Sequence, residues 1–229
     1  MKDRILQILG IILLAWLFIY IFGNQNPLRH RSIYVSGQTT GNDLVGLLQD
    51  EGARVYEYGS VEDALDKAKP GSAVLLLSNE YSEKTQEIST ENLETIKRKD
   101  LKVFAEFATV PAPSTSSGSE EPELEEIGVE RVVVTKQIGD NLKPMDLLTI
   151  NRAVYYKTEA ADPLMVIARV AGFDTAVFGL EDTPSSPLVF KPNEKIWIST
   201  SKLSDFAKLR FMPERNWKLF WETVISDLT

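Results

Sequence analysis

The polar residues with the best claim to chemistry are Gln38, Thr39 and Thr40, Asn79 and Glu80, Glu106, and Thr200 and Lys202. Each group follows a predicted strand, and open parallel sheets bind ligands at the carboxyl ends of their strands. The set supplies hydrogen-bond donors and acceptors suited to a polyol, and two carboxylates. Glu106 carries the most weight, because a charge ending a buried strand is costly unless it is partnered. Glu80 and Glu106 also form the kind of carboxylate pair that hydrolyses glycosides, an alternative that turns on their separation. Structural readings stand beside these: Thr40 or Asn42 caps a helix, and Glu80 is a surface loop residue.

Other chemistries are excluded by composition. The chain has no cysteine and one histidine, His30, which precedes the first predicted strand. Thiolate nucleophiles, disulfides and cysteine metal sites are therefore absent, and no Ser-His-Asp triad can form at the strand ends. The loop from Gly37 to Gly41 lacks the Gly-Lys-Ser/Thr ending of a phosphate-binding loop and reads as a tight turn, although a phosphate could meet the helix that follows. A net charge of −8 and a pI near 4.9 argue against a nucleic-acid surface. Glu120, Glu121, Glu123, Glu125 and Glu126 read as a solvated loop rather than a metal site, since no EF-hand spacing accompanies them. No metal and no cofactor is expected.

The elements that must position these residues alternate at first. Strands are expected over 32–36, 54–58, 73–77 and 102–107, with helices after Asn42-Asp43, from Ser60, and near 90–99. The run over 73–77 is continuously apolar, as in a strand covered on both faces. Four strands separated by helices imply a parallel, doubly wound sheet. Residues 109–126, rich in Pro, Ser, Gly and Glu, read as a mobile loop. A β-rich part follows, with strands over 129–134, 153–157, 164–170, 174–178 and 196–200, and a hairpin around 171–173. Phe206, Leu209, Trp217, Phe220, Trp221 and Val224 recur at helical spacing and predict an amphipathic tail whose final helix starts near Pro213.

The start of the chain is different in kind. Residues 5–22 are almost wholly apolar, follow Lys2 and Arg4, and would reach about 27 Å as a helix, close to the thickness of a bilayer core. Trp16 and Tyr20 fall toward the far end, where amphipathic rings favour an interface. The expectation is a single-pass membrane anchor and tether over 1–31, with the domain over 32–229 outside the cytoplasm at the cell envelope. Arg29 and Arg31 oppose that orientation. A cleaved signal peptide is the alternative, but no small-residue cleavage pattern follows the apolar run.

Three stretches resemble class I glutamine amidotransferase-like domains, a branch of the flavodoxin-like α/β folds: LKVFAEFATVPAP from Leu101, PLMVIARVAGFDTAVFGL from Pro163, and WISTSKLSDFAKLRFMPERNWKLFWETVI from Trp197. The last two are similar to segments of such domains in bacterial proteins of carbohydrate metabolism. The resemblance implies a doubly wound, mainly parallel sheet with a β-rich insertion. It also implies that the strand ends form one concave polar site. Catalytic members carry a cysteine after a central strand and a histidine after the last one. The matching positions here hold Glu106 and Ser201-Lys202, which excludes glutamine hydrolysis by that route. The resulting expectation is a membrane-anchored, non-catalytic domain binding a polar ligand, a glycan or a protein partner. The alternatives are the carboxylate hydrolase and a structural component of a membrane complex, with the tail helix or the acidic loop as its contact.

Overall fold

A computed structural model describes residues 28–111, 122–168, 183–207 and 214–229. The elements run β1 (Ser32–Ser36), α1 (Asp43–Asp50), β2 (Arg54–Tyr58), α2 (Val61–Lys67), β3 (Ala73–Leu76), β4 (Gln86–Glu87), α3 (Thr90–Arg98), β5 (Lys102–Glu106) and β6 (Ala108–Thr109). They continue with β7 (Leu124–Val134), β8 (Leu147–Tyr156), β9 (Met165–Ala168), β10 (Ser185–Asn193), β11 (Ile196–Ser199), a 3₁₀ turn (Ser204–Phe206) and α4 (Glu214–Leu228). One nine-stranded sheet has the order β2-β1-β3-β5-β11-β10-β9-β7-β8, while β4 and β6 form a separate pair.

The doubly wound, mainly parallel flavodoxin-like sheet expected from the sequence is not what forms. The sheet is mixed. Strands β2, β1, β3, β5 and β11 run parallel, and β10, β9, β7 and β8 extend it by antiparallel pairing. The β-rich part is therefore no insertion but nearly half of the sheet. The cause lies in the connections: helices carry the chain back between parallel strands, whereas the short turn from β10 to β11 can join only antiparallel neighbours. The expected membrane span over 5–22 lies outside the described residues, and among the described residues no helix is long and apolar enough to cross a membrane. The strand over 174–178, the hairpin around 171–173 and Pro213 also lie outside them.

Two apolar layers hold the sheet. On one face, Leu44 and Leu48 of α1 and Trp217, Phe220, Trp221 and Val224 of α4 pack on Val35, Leu75, Phe104, Val132 and Ile150. The residues of α4 recur at i, i+3, i+4 and i+7, which makes one stripe of a helix, and that stripe spans the parallel and antiparallel halves. On the other face, Ala64 and Leu65 of α2 and Ile96 of α3 cover Tyr34, Val74, Leu76, Val103 and Ala105. Helix starts follow their caps: the side chains of Asn42, Ser60 and Ser89 accept from the backbone N–H groups of Val45, Asp63 and Asn92.

The end of α2 is closed from outside. Lys99, at the end of α3, donates its ammonium to the carbonyls of Leu65 (3.0 Å), Asp66 and Ala68 (3.4 Å). A cation there satisfies carbonyls that a helix leaves open and opposes its negative end. Lys99→Met should lower the unfolding free energy by about 1–2 kcal/mol in urea titrations; an unchanged midpoint would show that water replaces the ammonium at no cost.

Several strands differ from expectation: β4 and β6 are not expected, and β8 starts at Leu147, six residues before the expected 153. β7 begins at Leu124, so Glu125 and Glu126 of the acidic run lie in the sheet and not in a loop, while residues 112–121 of the expected loop lie outside the described residues. Glu123 pairs with Lys157 at 2.8 Å and Glu125 accepts from the Tyr155 hydroxyl. β10 is not expected at all, because Pro187 and Pro192 interrupt its sequence. Its register shifts between Pro187 and Val189 and again between Phe190 and Asn193. Bulges of this kind accommodate a residue that cannot donate to the ladder.

Candidate functional site

Parallel pairing places the carboxyl ends of β1, β3, β5 and β11 on one edge of the sheet. Leaving β1, the chain turns over β3 at Gly37, where φ is +103° and an added Cβ would stand 1.9 Å from the carbonyl oxygen of Leu77. Only glycine allows that approach. The turn then delivers Gln38, Thr40 and Gly41 to the edge before Asn42 caps α1. From the other side, β11 runs through Thr200 and Ser201 to Lys202 and the 3₁₀ turn.

Glu106 joins these two walls from below. Its residue is fully buried. One carboxylate oxygen accepts from the Ser78 backbone N–H (3.3 Å) and the Ser204 hydroxyl (2.9 Å). The other accepts from the backbone N–H groups of Leu203 (3.1 Å) and Ser204 (2.9 Å). Ser204 in turn accepts from the Asn42 side-chain amide at 2.7 Å. A continuous polar chain therefore runs from the cap of α1 through Ser204 to the end of β5. Burial pushes the Glu106 carboxyl up to about 7, against the opposing pull of the Ser204 N–H and hydroxyl, the Lys202 charge and the Ser78 N–H.

Above Glu106 lies a cleft of about 260 Å³ lined by Gln38, Thr40, Gly41, Asn42, Asp43, Lys202 and Asp205. Lys202 is the one cation in this lining. The residue is only 8% exposed, and its ammonium is fixed by Asp205 at 3.0 Å and by the Gln38 side-chain oxygen at 3.3 Å. The cleft thus offers an ammonium, two carboxylates and amide and hydroxyl groups, with no apolar wall. Among the described residues, no group of three or more His, Asp or Glu converges to hold a metal ion. A larger groove of about 710 Å³ lies between α1 and α4, but Leu48, Trp221 and Ile225 beneath it are already buried.

Of the residues singled out from the sequence, Gln38, Thr40 and Lys202 meet in the cleft, and Glu106 supports it from behind. Thr39 turns away, its hydroxyl donating to Glu57 of β2 at 2.5 Å. Thr200 is fully buried and donates to the Pro187 carbonyl at 2.9 Å, holding β11 to β10. Asn79 and Glu80 are exposed on the loop after β3 and do not line the cleft. Glu80, exposed, and Glu106, sealed, accordingly share no cavity there. Asp43, Asp205 and Ser204 were missed. The Ser204-Asp205 pair opening a turn after the last strand was the available signal. Compared with known protein families, with curated proteins and with solved structures, the chain shows no significant match, and nothing in those comparisons identifies the amidotransferase-like domain that its sequence resembles.

Proposed function

We propose that the domain is a non-catalytic binding module whose strand-end cleft takes a small, hydroxyl-rich ligand of the size of one or two sugar units. The observation that carries this reading is the buried Lys202 ammonium, oriented in a polar cleft by Gln38 and Asp205. Among the described residues it has two partners for three N–H groups, which leaves a donor for a ligand oxygen. Asp43 and Asp205 set two negative charges against one positive, a balance that disfavours anions and suits hydroxyls, which both donate and accept. Glu106, whose carboxyl burial pushes up to about 7, faces inward with both oxygens occupied and does not reach a substrate.

Titration with a panel of neutral mono- and disaccharides, followed by amide NMR, tests the reading. Shifts confined to residues 38–43 and 202–205 are expected, and Lys202→Met should weaken binding about tenfold through loss of one charge-assisted hydrogen bond. If no saccharide moves those amides, the cleft is not a polyol site.

A further inference from the structure

We propose that Glu106 is the positioning residue of this cleft: as a carboxylate it holds the wall carrying Lys202 and Asp205 in place, and on protonation it releases that wall. The inference rests on the cleft being the ligand site, and it adds a proton-linked control to it.

The geometry is specific. Glu106 grips the amides of Leu203 and Ser204, and these two residues stand directly between Lys202 and Asp205. The opposite wall hangs on the same carboxylate, since Asn42 donates to the Ser204 oxygen while the Ser204 hydroxyl donates to Glu106. All four groups that reach the carboxylate are donors. A neutral carboxyl brings a proton of its own and needs an acceptor. The three backbone N–H groups cannot accept it; the Ser204 hydroxyl can, through the lone pair Asn42 does not use, but it then no longer donates to Glu106. Protonation therefore displaces or reverses at least one of these bonds, and three of the four, those from Leu203 and Ser204, are ties to the wall that carries Lys202 and Asp205.

The charged and titratable groups around the site are few. Lys202, on the segment after β11, favours the carboxylate. Asp205 in the 3₁₀ turn and Asp43 at the start of α1 lie across the cleft. Tyr81, from the loop after β3, is pushed up by burial and stays neutral through this range. With the Glu106 carboxyl held up to about 7, both of its states are populated near neutrality.

The test needs no ligand at first. In the full chain, the amides of Ser78, Leu203 and Ser204 and the side-chain amide of Asn42 are followed by NMR between about pH 5.5 and 8.5. A single shared midpoint near 7 is expected, absent in Glu106→Gln. Ser204→Ala keeps the amide ties and cuts the bridge, so Leu203 should still titrate while Asn42 falls silent. Flat Leu203 and Ser204 amides, or the same inflection in Glu106→Gln, overturn the proposal. Where a saccharide from the panel binds, its affinity should fall about tenfold from pH 8 to pH 6, as the competent fraction falls. A pH-independent affinity also overturns the control. Failure of every saccharide with the amide titration intact sinks only the ligand reading.

Discussion

The wild-type protein should lose about 3 kcal/mol of unfolding free energy as the pH rises from about 4.5 to above 7, and Glu106→Gln should lose none of this share. The sign follows from the direction of the shift. The Glu106 carboxyl titrates at about 7 when folded against 4.5 as its ordinary value, so the folded state holds the proton more tightly. Its contribution is fully present below 4.5 and disappears as the pH rises through 7. The shift of about 2.5 units, at 1.36 kcal/mol each, sets the magnitude. Other carboxyls act in a different window. For Asp227, burial raises the carboxyl, but Lys191 and the Trp197 indole N–H outweigh it and hold the carboxyl below 3.8; its contribution is lost only as the pH falls below that value. Subtracting the variant's curve from the wild-type curve, both from urea unfolding monitored by tryptophan fluorescence, isolates Glu106. Parallel curves would mean that water reaches the carboxylate and that burial does not govern it.

Glu106 also shows how far the sequence could be read. A carboxylate ending an apolar strand demands partners, and that demand was legible in Phe104-Ala105-Glu106. The partners themselves were not, because they are backbone amides almost a hundred residues downstream, brought near only when β11 pairs with β5. Strand-end position predicted a polar edge and could not say which way each side chain turns. Gln38 and Thr40 face the cleft, while Thr39 between them bonds Glu57. The first half of the fold was legible for a local reason: caps at Asn42, Ser60 and Ser89 and alternating elements mark crossover connections. The second half was not, since antiparallel pairing depends on hairpin turns and on bulges at Pro187 and Pro192 that local propensity reads as breaks. The sheet that results is mixed, and the resemblance to a mainly parallel fold led the expectation away from it.

Trp217→Ala should cost about 4 kcal/mol of stability and also weaken the cleft some 12 residues earlier in the chain. Trp217 is 1% exposed. Its indole N–H donates to the Thr149 carbonyl of β8 at 2.9 Å, and its ring meets Phe220 edge-on at 5.7 Å. Truncation leaves a cavity the size of an indole between α4 and the sheet and removes a donor from a buried carbonyl. The same ring stacks on Phe206, with centroids 5.4 Å apart and planes 22° from parallel. Phe206 closes the 3₁₀ turn that begins at Ser204, so the stack anchors from one side the backbone that Glu106 holds from the other. Trp217→Phe separates the two effects. It keeps an aromatic surface for Phe206 while losing the N–H, and should cost only about 1–2 kcal/mol with the cleft amides unmoved. Trp217→Ala should shift the Leu203, Ser204 and Asp205 amides as well as the denaturation midpoint. An alanine variant with the full stability loss but unmoved amides would show that the turn is held by Glu106 alone. The aromatic stripe would then be core and nothing more.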